Sequence, residues 1–160
     1  KPFVVKLKKQ EITVLGTTFN VQAYGHESYS EVTLLTGRIL LEAFNERGES
    51  MSCMYLKPDQ KALSDNSTGS VSLQDVNASL SNAWINGEYK FKDEPLASIV
   101  KRLENYYNVK IHLEDKRLEK IRYTGTFSLD QDILDVFRII DYEKQLIFKR
   151  VEKEIFITSK

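Results

Sequence analysis

The sequence is poor in the side chains that build reactive centres. It has one cysteine, two histidines and one tryptophan in 160 residues. With Cys53 alone, no internal disulfide can form, and its setting in Met51-Ser52-Cys53-Met54-Tyr55 reads as a strand. Nothing near it would stabilise a thiolate, so a buried structural thiol is expected. His26 and His112 lie at no ligand spacing from Cys53 or from each other, which argues against a metal site. There is no GxSxG elbow, no phosphate-binding loop and no GxGxxG turn. No catalytic residue, cofactor or metal is therefore expected, and the chain is not expected to be an enzyme.

Net charge is also absent. Lys and Arg together number 23, as do Asp and Glu. That balance gives no overall field for nucleic acid or an anionic membrane. The densest basic stretch, Lys110 to Arg122, is interrupted by Glu114, Asp115 and Glu119. No apolar run approaches the roughly 20 residues of a membrane span, and no signal peptide is visible. The chain opens in mid-pattern at Lys1-Pro2-Phe3, as an excised fragment would, so any anchor or leader is expected to lie outside it.

What is present is a change of rhythm. Short apolar runs fill the first part: Phe3 to Leu7, Ile12 to Leu15, Thr18 to Tyr24, Glu31 to Leu35, Arg38 to Phe44 and Met51 to Leu56. Turn residues separate them at Gly16, Gly25, Gly37, Asn45 to Gly48 and Pro58-Asp59. Phe19, Val21 and Ala23 alternate with Thr18, Asn20 and Gln22, and no helical period occurs. This half reads as all-β, either a small sandwich or a short solenoid. A Ser-rich connection follows, with one short strand near Val71 to Val76. The predicted organisation is residues 1–64, a connection over 65–83, and a second domain over 84–160.

The second part alternates strands and helices, making the whole an α+β chain. Ile85 to Phe91 reads as a strand, and Pro95 opens a helix whose buried face is Leu96, Ile99, Val100, Leu103 and Tyr107. Asn108 ends it. Val109, Ile111 and Leu113 alternate as a strand, and Tyr123 to Phe127 form another. Ser128 with Gln131 supplies a capping box for a second helix with Ile133, Phe137 and Ile140 on its buried stripe. Asp130, Asp132 and Asp135 fit the first turn of that helix better than a metal site. A hairpin of Leu146 to Phe148 and Ile155 to Ile157 closes the chain. The order βαββαββ predicts two βαβ units in an open sheet with both helices on one face.

An open sheet leaves strand edges on which a partner's backbone can pair. The expected edges are Tyr89 to Phe91 and the closing strand Ile155, Phe156 and Ile157, the latter flanked by Lys153, Glu154 and Lys160. Trp84 is a core or interdomain anchor or, on the rival reading, a hot spot for a partner.

Particular segments carry a family resemblance. Val14-Leu15-Gly16-Thr17-Thr18-Phe19-Asn20-Val21 and Glu31-Val32-Thr33-Leu34-Leu35-Thr36-Gly37 resemble the core motif of FecR domains. Leu56-Lys57-Pro58-Asp59-Gln60-Lys61-Ala62 resembles the turn closing that domain, with Asp59 where a glycine is usual. Trp84-Ile85-Asn86-Gly87-Glu88-Tyr89, Phe91, Pro95-Leu96, Tyr106-Tyr107-Asn108-Val109 and Thr124-Gly125-Thr126-Phe127 resemble the C-terminal domain that accompanies FecR in Bacteroidetes. The resemblance implies a fold for the second half similar to the small secretin/TonB N-terminal domain. It also implies the periplasmic part of a single-pass inner-membrane anti-sigma factor. Such a part binds the signalling domain of a TonB-dependent transporter and reaches an extracytoplasmic-function sigma factor only through a cytoplasmic domain. The alternatives are a cell-envelope assembly domain, against which residues 12–44 speak, and a glycan-binding β-domain, which would group its aromatics in loops.

Overall fold

The computed structural model describes residues 2–160. The chain divides into two compact units, one ending at Asn82 and one running from Ala83 to Lys160.

The first unit holds β1 (Phe3–Leu7), β2 (Gln10–Val14), β3 (Thr18–Gln22), β4 (Tyr29–Thr36), β5 (Ile39–Phe44), β6 (Ser50–Leu56), β7 (Gln60–Asp65), β8 (Val71–Asp75) and the short helix α1 (Ala78–Ser81). Successive hairpins alternate between two sheets, ordered β1-β2-β5-β6 and β3-β4-β7-β8. Every pairing is antiparallel, as in a sandwich and unlike a solenoid whose coils stack in parallel. Alternation sets the faces: Ile39, Leu41 and Ala43 are buried while Leu40, Glu42 and Phe44 point the other way. Ile12, Val14, Ile39, Leu41 and Leu56 from the first sheet meet Val32, Leu34 and Ala62 from the second in one core.

Two expectations change here. Cys53 is exposed rather than buried, because Leu56 and the half-buried Met54 take the inward positions of β6 and leave Met51, Cys53 and Tyr55 outside. The Ser-rich stretch after residue 64 is folded into the unit. β8 pairs with β7 from Gln60↔Asp75 to Ser64↔Val71, and Asn77 caps α1 by accepting from Ser79 N at 3.1 Å. Asp65 closes the β7–β8 bend, its Oδ1 accepting from Ser67 Oγ at 2.5 Å, Ser67 N at 2.7 Å and Thr68 N at 2.9 Å. Those donors, the Ser67 hydroxyl first, hold its carboxyl down at about 2.

Asp59, in the place of the usual glycine, adopts a left-handed backbone (φ 62°) in a turn closed by Gln60 N on the Lys57 carbonyl at 3.1 Å. Its side chain does what glycine has no atoms for, accepting from Ala78 N at 3.1 Å and tying α1 to the turn.

The second unit begins with a 3-10 turn over Ala83–Asn86, where a strand was expected from Ile85. Gly87, at φ 72°, ends that turn and postpones the strand. Then come β9 (Glu88–Pro95), α2 (Leu96–Tyr107), β10 (Lys110–Leu113), a 3-10 turn (Leu118–Lys120), β11 (Arg122–Ser128), α3 (Ile133–Ile140), β12 (Leu146–Val151) and β13 (Glu154–Ser159). The order is βαββαββ, but the strands do not make one open sheet. They form a three-stranded sheet, β10-β13-β12, and a separate two-stranded ribbon, β11-β9. β13 pairs in parallel with β10 and antiparallel with β12, so it is central and not an edge.

Helix ends follow local chemistry. Asn108 takes the left-handed conformation (φ 52°, ψ 50°) that stops α2. Pro95 sits at the cap rather than inside the first turn of α2. For α3 the cap is Asp132, accepting from Leu134 N at 2.8 Å, and not Ser128. Gln131 does reach back to Ser128 N at 3.1 Å, but it closes a turn preceding the helix. Both helices and both sheets share one core, with Leu96, Ile99 and Leu103 of α2, Val136 and Phe137 of α3, Phe91 and Phe127 of the ribbon, and Ile155 and Ile157 of β13.

Two predictions follow from this packing. Burial is the main cause that pushes the Tyr107 phenol up to about 12, and its hydroxyl donates to the Gln131 carbonyl at 2.9 Å. The stability it lends is fully present below the ordinary pKa near 10 and is lost as pH rises through about 12. Tyr107→Phe is expected to cost about 1 kcal/mol near neutral pH and to flatten the alkaline loss in urea melts. At Gly125 an added Cβ would lie 3.1 Å from Phe91 Cζ. Gly125→Val is expected to cost about 1–3 kcal/mol by displacing that ring, read as a lower melting temperature.

Candidate functional site

The β9–β11 ribbon stands apart from the three-stranded sheet of the second unit. It has two strands only, so each has one side with no strand partner among the described residues. The two sides differ chemically. β9 carries Glu88, Lys90, Lys92, Asp93 and Glu94 and ends in Pro95. β11 carries no charge from Tyr123 to its end at Ser128. Charges and proline are ordinary guards against unwanted strand pairing. One edge is guarded and the other is not.

Local geometry presents β11. The register shifts between Tyr123 and Gly125: Lys92 and Asp93 of β9 face the single Thr124, a bulge in β9 opposite that residue. Thr124 Oγ1 accepts from Asp93 N at 2.8 Å, and Asp93 is held left-handed (φ 48°) by this contact and by Arg122. Arg122 donates through Nε to Asp93 Oδ1 at 2.7 Å and through Nη2 to the Asp93 carbonyl. Beyond the bulge, Phe127 is buried and Tyr123 and Gly125 half-buried, while Thr124, Thr126 and Ser128 are exposed.

Beside β11 lies a cleft of about 750 Å³, its walls including Tyr123, Thr124, Gly125, Ile139, Asp141 and Tyr142. Its rim is apolar, with Ile121 39%, Ile139 44% and Tyr142 89% exposed. Asp115, Arg117, Arg122 and Asp141 in its walls are bonded within the unit, and Glu143 and Lys160 stand at its exposed margin. Asp115 bonds Arg117 Nη2 at 2.6 Å and Ser159 Oγ at 3.3 Å, and the Arg117 bonds first of all hold its carboxyl down at about 2. The buried Asp141 accepts from Gln145 N at 2.8 Å and Leu146 N at 3.0 Å. Burial, then Asp141 and Glu143, push the Tyr123 phenol up, so it remains a neutral wall of the cleft at physiological pH.

The residues singled out from sequence fall in three places. Tyr89 and Phe91 are brought together with Phe127 in the ribbon, with ring centroids 5.0–6.1 Å apart. Phe91 is 4% exposed and belongs to the core. Ile155, Phe156 and Ile157 lie in the central β13, where both backbone sides are paired, so no partner strand can add there. Phe156 stacks on His112, with centroids 4.8 Å apart. Trp84 lies in the 3-10 turn at 54% exposure, outside both core clusters. Thr124 and Thr126 were read only as part of a strand and of the family motif, and Ile139 and Tyr142 were not singled out. The uncharged run from Tyr123 was the visible signal, since the bulge and the cleft depend on distant pairing.

Among the described residues no three of His, Cys, Asp and Glu are grouped so as to hold a metal ion, and no helix is long and apolar enough to cross a membrane.

Residues 88–157, from β9 into β13, match the family model described as FecR, C-terminal. Two crystal structures of a candidate anti-sigma factor from Parabacteroides distasonis are similar to the chain along its length. One has a TM-score of 0.77 at 25% identity, covering 99% of this chain and 72% of that one. The other has a TM-score of 0.74 at 26% identity, covering 100% and 72%. No curated protein matches the sequence. The class these findings define is that of regulatory, signal-transmitting proteins. More narrowly, residues 88–157 carry the FecR C-terminal pattern, and the chain as a whole is similar to a candidate anti-sigma factor.

The cleft depends on Asp141, which alone satisfies two backbone N–H groups at the start of β12. Asp141→Ala is expected to cost about 1–3 kcal/mol, with faster amide exchange at Gln145 and Leu146. Unchanged exchange at those two amides would show that the carboxylate does not hold this wall.

Proposed function

We propose that this chain is the periplasmic, signal-sensing region of a transmembrane anti-sigma factor. It receives its signal by binding the signalling domain of a TonB-dependent outer-membrane transporter. Through a membrane helix and a cytoplasmic domain outside this chain, that binding governs an extracytoplasmic-function sigma factor.

The observation that carries the reading is the match of residues 88–157 to the FecR C-terminal family, with similarity to a candidate anti-sigma factor over 99% of the chain. The geometry is in keeping with it. The second unit offers a two-stranded ribbon with unpaired strand sides and a cleft in which Asp115, Arg122 and Asp141 are already partnered, features suited to a protein surface. The chain acts here as a binding module and carries out no chemistry of its own.

Titration calorimetry of the purified chain against purified transporter signalling domains from the same cell tests the reading. Saturable one-to-one binding by one of them is the expected result, with the others silent. Absence of binding by every such domain would overturn it.

A further inference from the structure

We infer that the unguarded edge of β11 takes an extended, uncharged segment of the partner protein as a third strand of the β9–β11 ribbon. An apolar side chain of that segment seats in the adjoining cleft. The inference rests on the reading of this region as a protein-binding module and names where and how the partner is held.

Backbone geometry is the first support. β11 pairs with β9 from Arg122↔Pro95 to Ser128↔Glu88, and its other side has no strand partner among the described residues. Those backbone groups are a template for one more strand. The exposed row that an incoming strand would neighbour, Thr124, Thr126 and Ser128, is small, with two β-branched members suited to cross-strand pairing.

Charge is the second. An arriving strand on β9 would have to cover the exposed Lys92, which has no acidic partner among the described residues, and the ion pair of Glu88 with Lys90 at 2.8 Å. The outer strands of the three-stranded sheet carry Lys110 on β10 and Lys149 and Arg150 on β12. β11 from Tyr123 onward demands no such cost.

The cleft is the third, and it selects the occupant. Asp115 is satisfied by Arg117 and Ser159, Arg122 by Asp93, and Asp141 by two backbone amides. A charged segment would find these wall groups already committed. An uncharged one leaves the pairs intact and covers Ile121, Ile139 and Tyr142.

The test uses two probes. One is the transporter signalling domain. The other is a synthetic peptide of alternating threonine and valine, which tests the edge without any transporter. Amide exchange is read over residues 122–128, together with affinity for Thr126→Lys, Tyr142→Ser and the control Cys53→Lys on the exposed, likewise uncharged β6 edge. The expected result is slowed exchange in β11 with a bound probe, and affinity reduced about tenfold or more by Thr126→Lys and Tyr142→Ser but not by Cys53→Lys. Slowed exchange with the peptide alone, and no transporter binding, supports the edge while overturning the transporter reading. Transporter binding that ignores Thr126→Lys and leaves β11 exchange unchanged overturns the edge and leaves the transporter reading standing. No protection of β11 by either probe overturns the inference.

Discussion

The second unit depends on where its last strand goes. β13 pairs in parallel with β10 over four residues and antiparallel with β12 over six, while Ile155 and Ile157 lose all contact with solvent. A parallel pair requires a crossover, and the chain from β11 through α3 to β12 supplies the length. With β13 between β10 and β12, these three strands make one small sheet over the core. β9 and β11 have no place in that sheet and pair with each other. Two small sheets in place of one open sheet double the number of strand edges, and the unit's surface chemistry follows from that.

The edges are not treated alike. Acidic and basic residues are mixed along β9, and Arg122 at the start of β11 is bound back to Asp93 across the ribbon. The same Arg122–Asp93 contact, with Thr124 Oγ1 on Asp93 N, fixes the bulge in β9 that lies opposite Thr124. Behind the strand, Gly125 leaves room for the Phe91 ring, which joins Tyr89 and Phe127 in the aromatic layer supporting the ribbon. One residue without a side chain thus lets the inner face of β11 pack closely while its outer row consists of threonine and serine.

The elements of this unit were legible because their causes are local. Leu96, Ile99, Val100 and Leu103 repeat at helical spacing and are buried together, and Asn108 stops the helix in the one conformation where asparagine outdoes most residues. Sheet membership was not legible, because strand order is decided by which distant strand completes the core. Ile155 and Ile157 alternate as any half-buried strand does, and nothing in that pattern distinguishes an edge from a centre. Strand faces fail for a related reason when both are apolar. In β6 the outward Met51, Cys53 and Tyr55 are as apolar as the inward Met54 and Leu56, which is how a buried thiol was inferred for Cys53. β7 was missed because its inward Ala62 and Ser64 are too small to make a hydrophobic signal. Of the site, the uncharged stretch of β11 was in view. Its exposure was not, since it depends on β13 having taken the central position.

The same pairing that makes the cleft rigid also makes it inexpensive to cover. An exposed charge resists burial because it must give up water, and the penalty is severe when no partner replaces that water. In the cleft the replacement is already in place. Asp115 bonds Arg117 and Ser159, and Asp141 is itself buried against two amides before anything binds. Covering this surface removes water from Ile121, Ile139 and Tyr142, where the loss is favourable, while those two carboxylates keep their bonds. Along β9 the balance reverses, because Lys92 is exposed without an acidic partner among the described residues and would have to shed water. Desolvation alone thus ranks the two sides of one ribbon. It favours the side on which a backbone template and an apolar cleft already coincide.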